Sequence, residues 1–226
     1  MNFPATSTRS SRLRQRVLCV VLMGGMTLAV QAGWLGRDFK PANVFAYPAR
    51  LSSDLQRVAV LPLACGSTAD NLPAGCETLE PVLRAQLAKT RMFETVAVDR
   101  EKLRAATGRA AWTGTETLPP DFLKSLRREY GCDGVLFSEV TVFHAYAPMA
   151  IGWRLKLVDA RSGMILWAAD EVFDASQPAV ARAAKNFYKS SSLFDFSREK
   201  SWEMMHSPSR FGGYAVAALL ATLPPR

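Results

Sequence analysis

The sequence predicts an α/β (α+β) domain, a mixed sheet of about five strands with an antiparallel three-strand meander, packed by three to four helices. Three observations carry this. Arg57 to Leu63 (RVAVLPL) is a short apolar run closed by Pro62 and Leu63, the pattern of a strand covered on both faces. Ile151 to Asp159 alternates, with Trp153, Leu155 and Leu157 on one face and Arg154 and Lys156 on the other. Helical spacing of apolar residues appears between and after the strands. With 226 residues, 49% of them apolar, the chain can fill one real core, which excludes wholesale disorder.

The elements follow in order. Residues 33–55 mix Pro, Gly and scattered aromatics without a period and read as a linker or arm, with the domain at 56–226. Arg57 to Leu63 is expected to be the central strand. The Gly/Pro/Asn-rich stretch Cys65 to Cys76 reads as a loop, and Leu79, Val82, Leu83 and Leu87 as a helix to about Thr90 whose first turn holds Glu77 and Glu80. Phe93 to Asp99 alternates as a second strand, and Arg100 to Ala106 is a short helix stopped by Gly108. Pro119-Pro120-Asp121 opens a helix with Phe122, Leu123, Leu126 and Tyr130 as its apolar stripe, ended by Gly131. The meander is Gly134 to Tyr146, Ile151 to Asp159 and Met164 to Phe173, with Asp159 to Gly163 as turn chemistry. Pro178 to Lys189 is a helix with Val180, Ala184 and Phe187 inward; Tyr188 to Ser209 is irregular; Phe211 to Leu223 is apolar all round and expected to pack on the sheet.

The N-terminus reads as a signal segment, residues 1–32. Arg9, Arg12, Arg14 and Arg16 precede Val17 to Val30, an uncharged run of about 14 residues, shorter than the ~20 that span a bilayer. Cleavage after Ala32 would export the chain to the periplasm; the alternative is an uncleaved inner-membrane anchor. Cys19 stands at the front of the apolar run behind Leu18, so lipidation there is not expected.

The formal charge of +8 and pI of about 9.6 shrink once the leader is set aside, leaving 24 basic against 20 acidic side chains. That excess is spread out, with no Lys/Arg run to track a phosphate backbone, so nucleic acid is not an expected partner. Export would place Cys65 and Cys76 where disulfides persist, and their eleven-residue separation makes them the candidate pair; whether they are bridged stays open. His144 and His206 are the only histidines and neither has zinc spacing from a Cys pair, so no metal and no cofactor are expected.

The motif order resembles the bacterial envelope group of CsgG, LpoB and the TolB N-terminal domain. The resemblance lies in Val58 to Leu63 (VAVLPL), Met92 to Arg100, the residues Gly131, Asp133, Val135 and Leu136 leading into the meander, and the hairpin Lys156 to Trp167. It covers about Arg57 to Asp174 and a C-terminal helix. It implies a non-enzymatic role, with other envelope proteins, cell-wall synthesis or secretion machinery as partners. The chain departs from the group in lacking a lipid-attachment Cys behind its apolar run, room for the transmembrane hairpins of CsgG, and the propeller of TolB.

No nucleophile elbow, phosphate-binding Gly-rich loop or His-Glu-x-x-His motif is present, so no catalytic residue is expected. Glu203 and His206 have metal-ligand spacing without a second pair, and read as surface residues. His144, expected beside Val140 and Val142, could act as a base but lacks a partner by spacing. Asp170 and Asp174 share a strand face and would act together only across a bridging substrate; a solvated edge is the plainer reading. Arg182, Lys185, Lys189, Arg198 and Lys200 could meet an acidic partner or anionic lipid, making any membrane contact peripheral, and read more simply as a wet face. The aromatic stretch Phe187 to Phe211 is the candidate partner surface, with Phe194, Phe196, Trp202, Arg198 and Arg210 as its residues. The competing reading makes these rings a second small core. A secreted hydrolase built on His144 or His206 is the rival function.

Overall fold

In the computed structural model, residues 39–66, 72–191 and 206–226 are described. Within them seven strands form one mixed sheet: β1 (Val44–Ala46), β2 (Arg57–Val60), β3 (Ala64–Cys65), β4 (Glu94–Ala97), β5 (Gly134–His144), β6 (Ala150–Asp159) and β7 (Ile165–Asp174). Among the described residues five helices pack on it: α1 (Leu72–Thr90), α2 (Arg100–Thr107), α3 (Phe122–Tyr130), α4 (Pro178–Ser191) and α5 (Pro208–Leu220). The strand order is β1-β7-β6-β5-β2-β4, with β3 continuing the β2 edge of β5. β5, β6 and β7 are the expected antiparallel meander; β2 runs parallel to both β4 and β5.

Period 2 decides which residues are buried. Trp153, Leu155, Leu157, Trp167 and Phe173 point to one face and are fully buried beneath α1, α4 and α5 with Leu79, Leu83, Phe211 and Val216. The other face carries a smaller cluster in which Ala59, Val135, Phe137 and Val158 meet Leu103, Trp112, Phe122 and Leu126 from α2, α3 and the loop between them. Trp112 and Phe122 pack edge to face at 5.5 Å.

The structure corrects several expectations. β2 lies one strand from the edge, not at the centre, because β4 closes the sheet beside it, although both its faces are covered as expected. Two further strands, β1 and β3, are too short to leave a period in the sequence; β1 comes from the stretch read as an arm. α1 begins at Leu72, so Glu77 and Glu80 sit beyond its first turn and Cys76 is helical, not in a loop. Pro73 suits a first turn, where its missing N–H has no intrahelical partner to lose. Gly75 is there because a Cβ at that position would lie 2.5 Å from the Phe143 ring. α4 continues through Ser191 and α5 starts at Pro208, capped by Ser207, so helix takes up both ends of the segment expected to be irregular, and residues 192–205 lie outside the described residues.

Candidate functional site

α2 and α3 cover only part of their face of the sheet. Beyond Phe137 and Val158 the same face continues over β5, β6 and β7 as Glu139, Arg154, Asp170 and Val172, and the described helices stop short of it. Its register is simple. Glu139 stands opposite Arg154 and Arg154 opposite Asp170, so three strands bring an acid, a base and an acid into one row.

The row is tied together by charge-assisted hydrogen bonds. Arg154 Nε donates to Asp170 Oδ2 at 2.7 Å, and Arg154 Nη1 donates to Glu139 Oε2 at 3.1 Å. Glu139 is 8% exposed, one of two buried polar or charged residues of the described chain along with Ser138. The Asp170 hydrogen bond, ahead of the opposing cost of burial, holds the Arg154 guanidinium above its ordinary value, so it stays charged. One row away Lys156 Nζ donates to the Gly114 carbonyl at 2.6 Å, fastening the loop before α3 to the sheet.

Arg154 and Asp170 of the row also line a groove of about 350 Å³, together with Phe45, Thr115, Ile165 and Ala168. Phe45 is 53% exposed, Ile165 38% and Val172 41%, so three large apolar side chains of one face meet solvent. Phe45 reaches it because β1 pairs with β7 in a register that sets Phe45 opposite Ala168. Such a surface can hold an extended or flat protein partner; it offers no nucleophile with a base beside it.

The sequence candidates fall elsewhere. Phe194, Phe196, Arg198 and Trp202 lie outside the described residues, as do Glu203 and Lys200. Arg210 is exposed in the first turn of α5, where its carbonyl accepts from the Tyr188 hydroxyl at 2.9 Å. Phe211 is fully buried, and Phe187 packs on Tyr214 at 5.9 Å, so these aromatics of the stretch belong to the core. Arg182 and Lys185 are exposed on α4. Asp170 binds Arg154, while Asp174 Oδ1 accepts from Ser176 N at 2.7 Å, so the two carboxylates serve separate structural bonds.

His144 does not share a face with Val140. A bulge between Val140 and Val142 shifts the register, putting Val140 and Phe143 in the main core and His144 on the opposite face with Val142. The bulge needs Gly152 across from it, where a Cβ would lie 2.4 Å from Thr141 Oγ1. His206 is exposed just before α5. Among the described residues no group of three His, Cys, Asp or Glu side chains could hold a metal ion, and no helix is long and apolar enough to cross a membrane.

Cys65 and Cys76 form a disulfide with Cα atoms 6.1 Å apart, while Cys132 is a free thiol whose burial pushes its pKa up. The ionic row was half legible: Arg154 and Lys156 stand out as the polar side of β6. Glu139 was missed, and its signal was a lone acid inside the apolar run GVLFSEVTVF.

No protein family matches the chain, and no curated protein sequence matches it. Solved structures do. The chain is similar to the PelC dodecamer of Paraburkholderia phytofirmans at 16% identity and TM-score 0.44, covering 81% of this chain and 96% of that one. It is similar to the LpoB C-terminal domain of Salmonella enterica at 19% identity and TM-score 0.33, covering 56% and 86%. It is similar to TolB of Acinetobacter baumannii at 12% identity and TM-score 0.30, covering 66% of this chain and 31% of that one. At these identities and TM-scores, what those proteins do stays with them.

Proposed function

We propose that the chain is an envelope accessory protein, exported to the periplasm by residues 1–32, that acts by binding another envelope protein and carries out no catalysis. The observation that supports this reading is the open face of the meander: Phe45, Ile165 and Val172 exposed around a floor fixed by Glu139, Arg154 and Asp170. Exposed apolar anchors beside a pre-ordered polar cluster are the composition of a protein interface. Pairing within the row leaves its charges committed, so the floor is rigid before a partner arrives and little ordering is lost on docking.

The test is recovery of crosslinked partners from intact envelopes with the Phe45→Ala/Ile165→Ala chain. Recovery should fall about ten-fold, the effect of losing one or two anchors, while Lys185→Ala leaves it unchanged. Unchanged recovery with Phe45→Ala/Ile165→Ala, together with loss on changing Phe194, Phe196 and Trp202 to Ala, would move the binding surface to the aromatic stretch. Hydrolytic activity that disappears with His144→Ala or His206→Ala would overturn the non-catalytic reading.

A further inference from the structure

The disulfide stands next to the open face through β3. That strand has two residues, and its ladder is Ala64 opposite Glu139 and Cys65 opposite Val140, followed by Gly66 N donating to the Val140 carbonyl at 3.1 Å. Gly66 is so close to the ionic row that a Cβ on it would lie 3.7 Å from Glu139 Oε1. A strand this short has little pairing of its own to hold it. The other end of the bridge is firmly placed: Cys76 is 3% exposed in α1, and the helix beyond it is anchored on the main core by Leu79, Leu83 and Leu87.

We propose that the Cys65–Cys76 bridge is a redox-sensitive catch that keeps β3 on β5 beside Glu139, released by a dithiol reductant of the thiol–disulfide oxidoreductase class. Cys65 is the exposed member, so the attacking thiolate meets its sulfur and Cys76 is the sulfur that leaves. The second thiol of the reductant then displaces Cys65. Two electrons and two protons pass to the pair, which becomes two thiols, and the reductant departs as a disulfide. Cys132 takes no part, since it is 1% exposed and its thiol is held protonated by burial. With β3 released, Glu139 loses the backbone that lies along it, and Arg154 loses a fixed acceptor. α1 stays on the core. The consequence for binding rests on the proposed reading of the open face; the catch itself does not.

The test is amide and side-chain hydrogen exchange on the purified full chain, oxidised and then reduced with dithiothreitol. Exchange at Gly66 N–H and Arg154 Nη1–H, the donor to Glu139, should quicken about ten-fold or more, as expected when a local unit opens. Leu155 and Leu157 in the meander should keep their protection. The Cys65→Ala/Cys76→Ala chain should show the reduced pattern without reductant. Unchanged exchange at Gly66 and Arg154 overturns the catch, and so does loss of protection everywhere or failure of the double variant to fold, because the bond would then hold the whole domain. Partner recovery that depends on Phe45 but not on reduction keeps the open-face reading and overturns the link between catch and site.

Discussion

The two faces of the sheet are built from the same strands and finished differently. On one, Trp153, Trp167 and Phe173 are sealed under three helices, and burial of side chains this large dominates the stability of the domain. On the other, α2 and α3 cover the β2 end, and over β5 to β7 the protein sets an ionic row where a third layer would have rested. One residue of offset separates the regimes: Trp153 and Arg154 are neighbours in the chain and opposites in environment. The lesson is that β6 alternates for two purposes, folding on its odd positions and presenting a polar surface at Arg154 and Lys156.

Substitutions should separate the faces by size of effect. Trp153→Ala should cost about 3–5 kcal/mol, seen as a lower urea midpoint, because the cavity lies under the helices. Arg154→Ala should cost roughly 2 kcal/mol, since it leaves Glu139 nearly buried without its cation. Adding Glu139→Gln should recover part of that loss, and a double-mutant cycle measures the coupling. Full additivity would show that the row does not act as a unit.

The turn between β6 and β7 should give a smaller, pH-dependent effect. Burial raises the Asp159 pKa, but the Ser162 N–H and hydroxyl and the Arg161 N–H outweigh it and hold the carboxyl below the usual range. Its stabilisation is therefore present above the ordinary carboxylate range and is lost as pH falls through the lower folded value. Urea midpoints followed downward from about pH 5 should fall less steeply in Asp159→Asn than in the parent. Phe45→Ala should be the mildest, within about 0.5 kcal/mol, because its ring already meets solvent. A large loss there would make Phe45 a core residue and remove it from the docking surface.

How much of this was legible follows from length and period. The meander was readable because strands of ten or eleven residues repeat their alternation several times. β1 and β3 hold three and two residues, too few for any pattern. The start of α1 was hidden by Pro73 and Gly75, residues of turns that a helix also accepts in its first turn or under a close ring. The bulge at Thr141 inverted the expected face of His144, and nothing in the local residue types announces one extra residue in a strand. Arg154 and Lys156 could be placed on a polar face, yet their partners Glu139 and Gly114 come from distant chain, so the site itself needed the register.

On the proposed reading, the open face of the meander meets another envelope protein. A photo-crosslinking residue placed at Phe45 or Val172 in living cells tests it most directly, with Lys185 on the helical side as the control. Adducts with one envelope protein from positions 45 and 172 and none from 185 are the expected result. Adducts equally frequent from all three, or absent from 45 and 172, would contradict it.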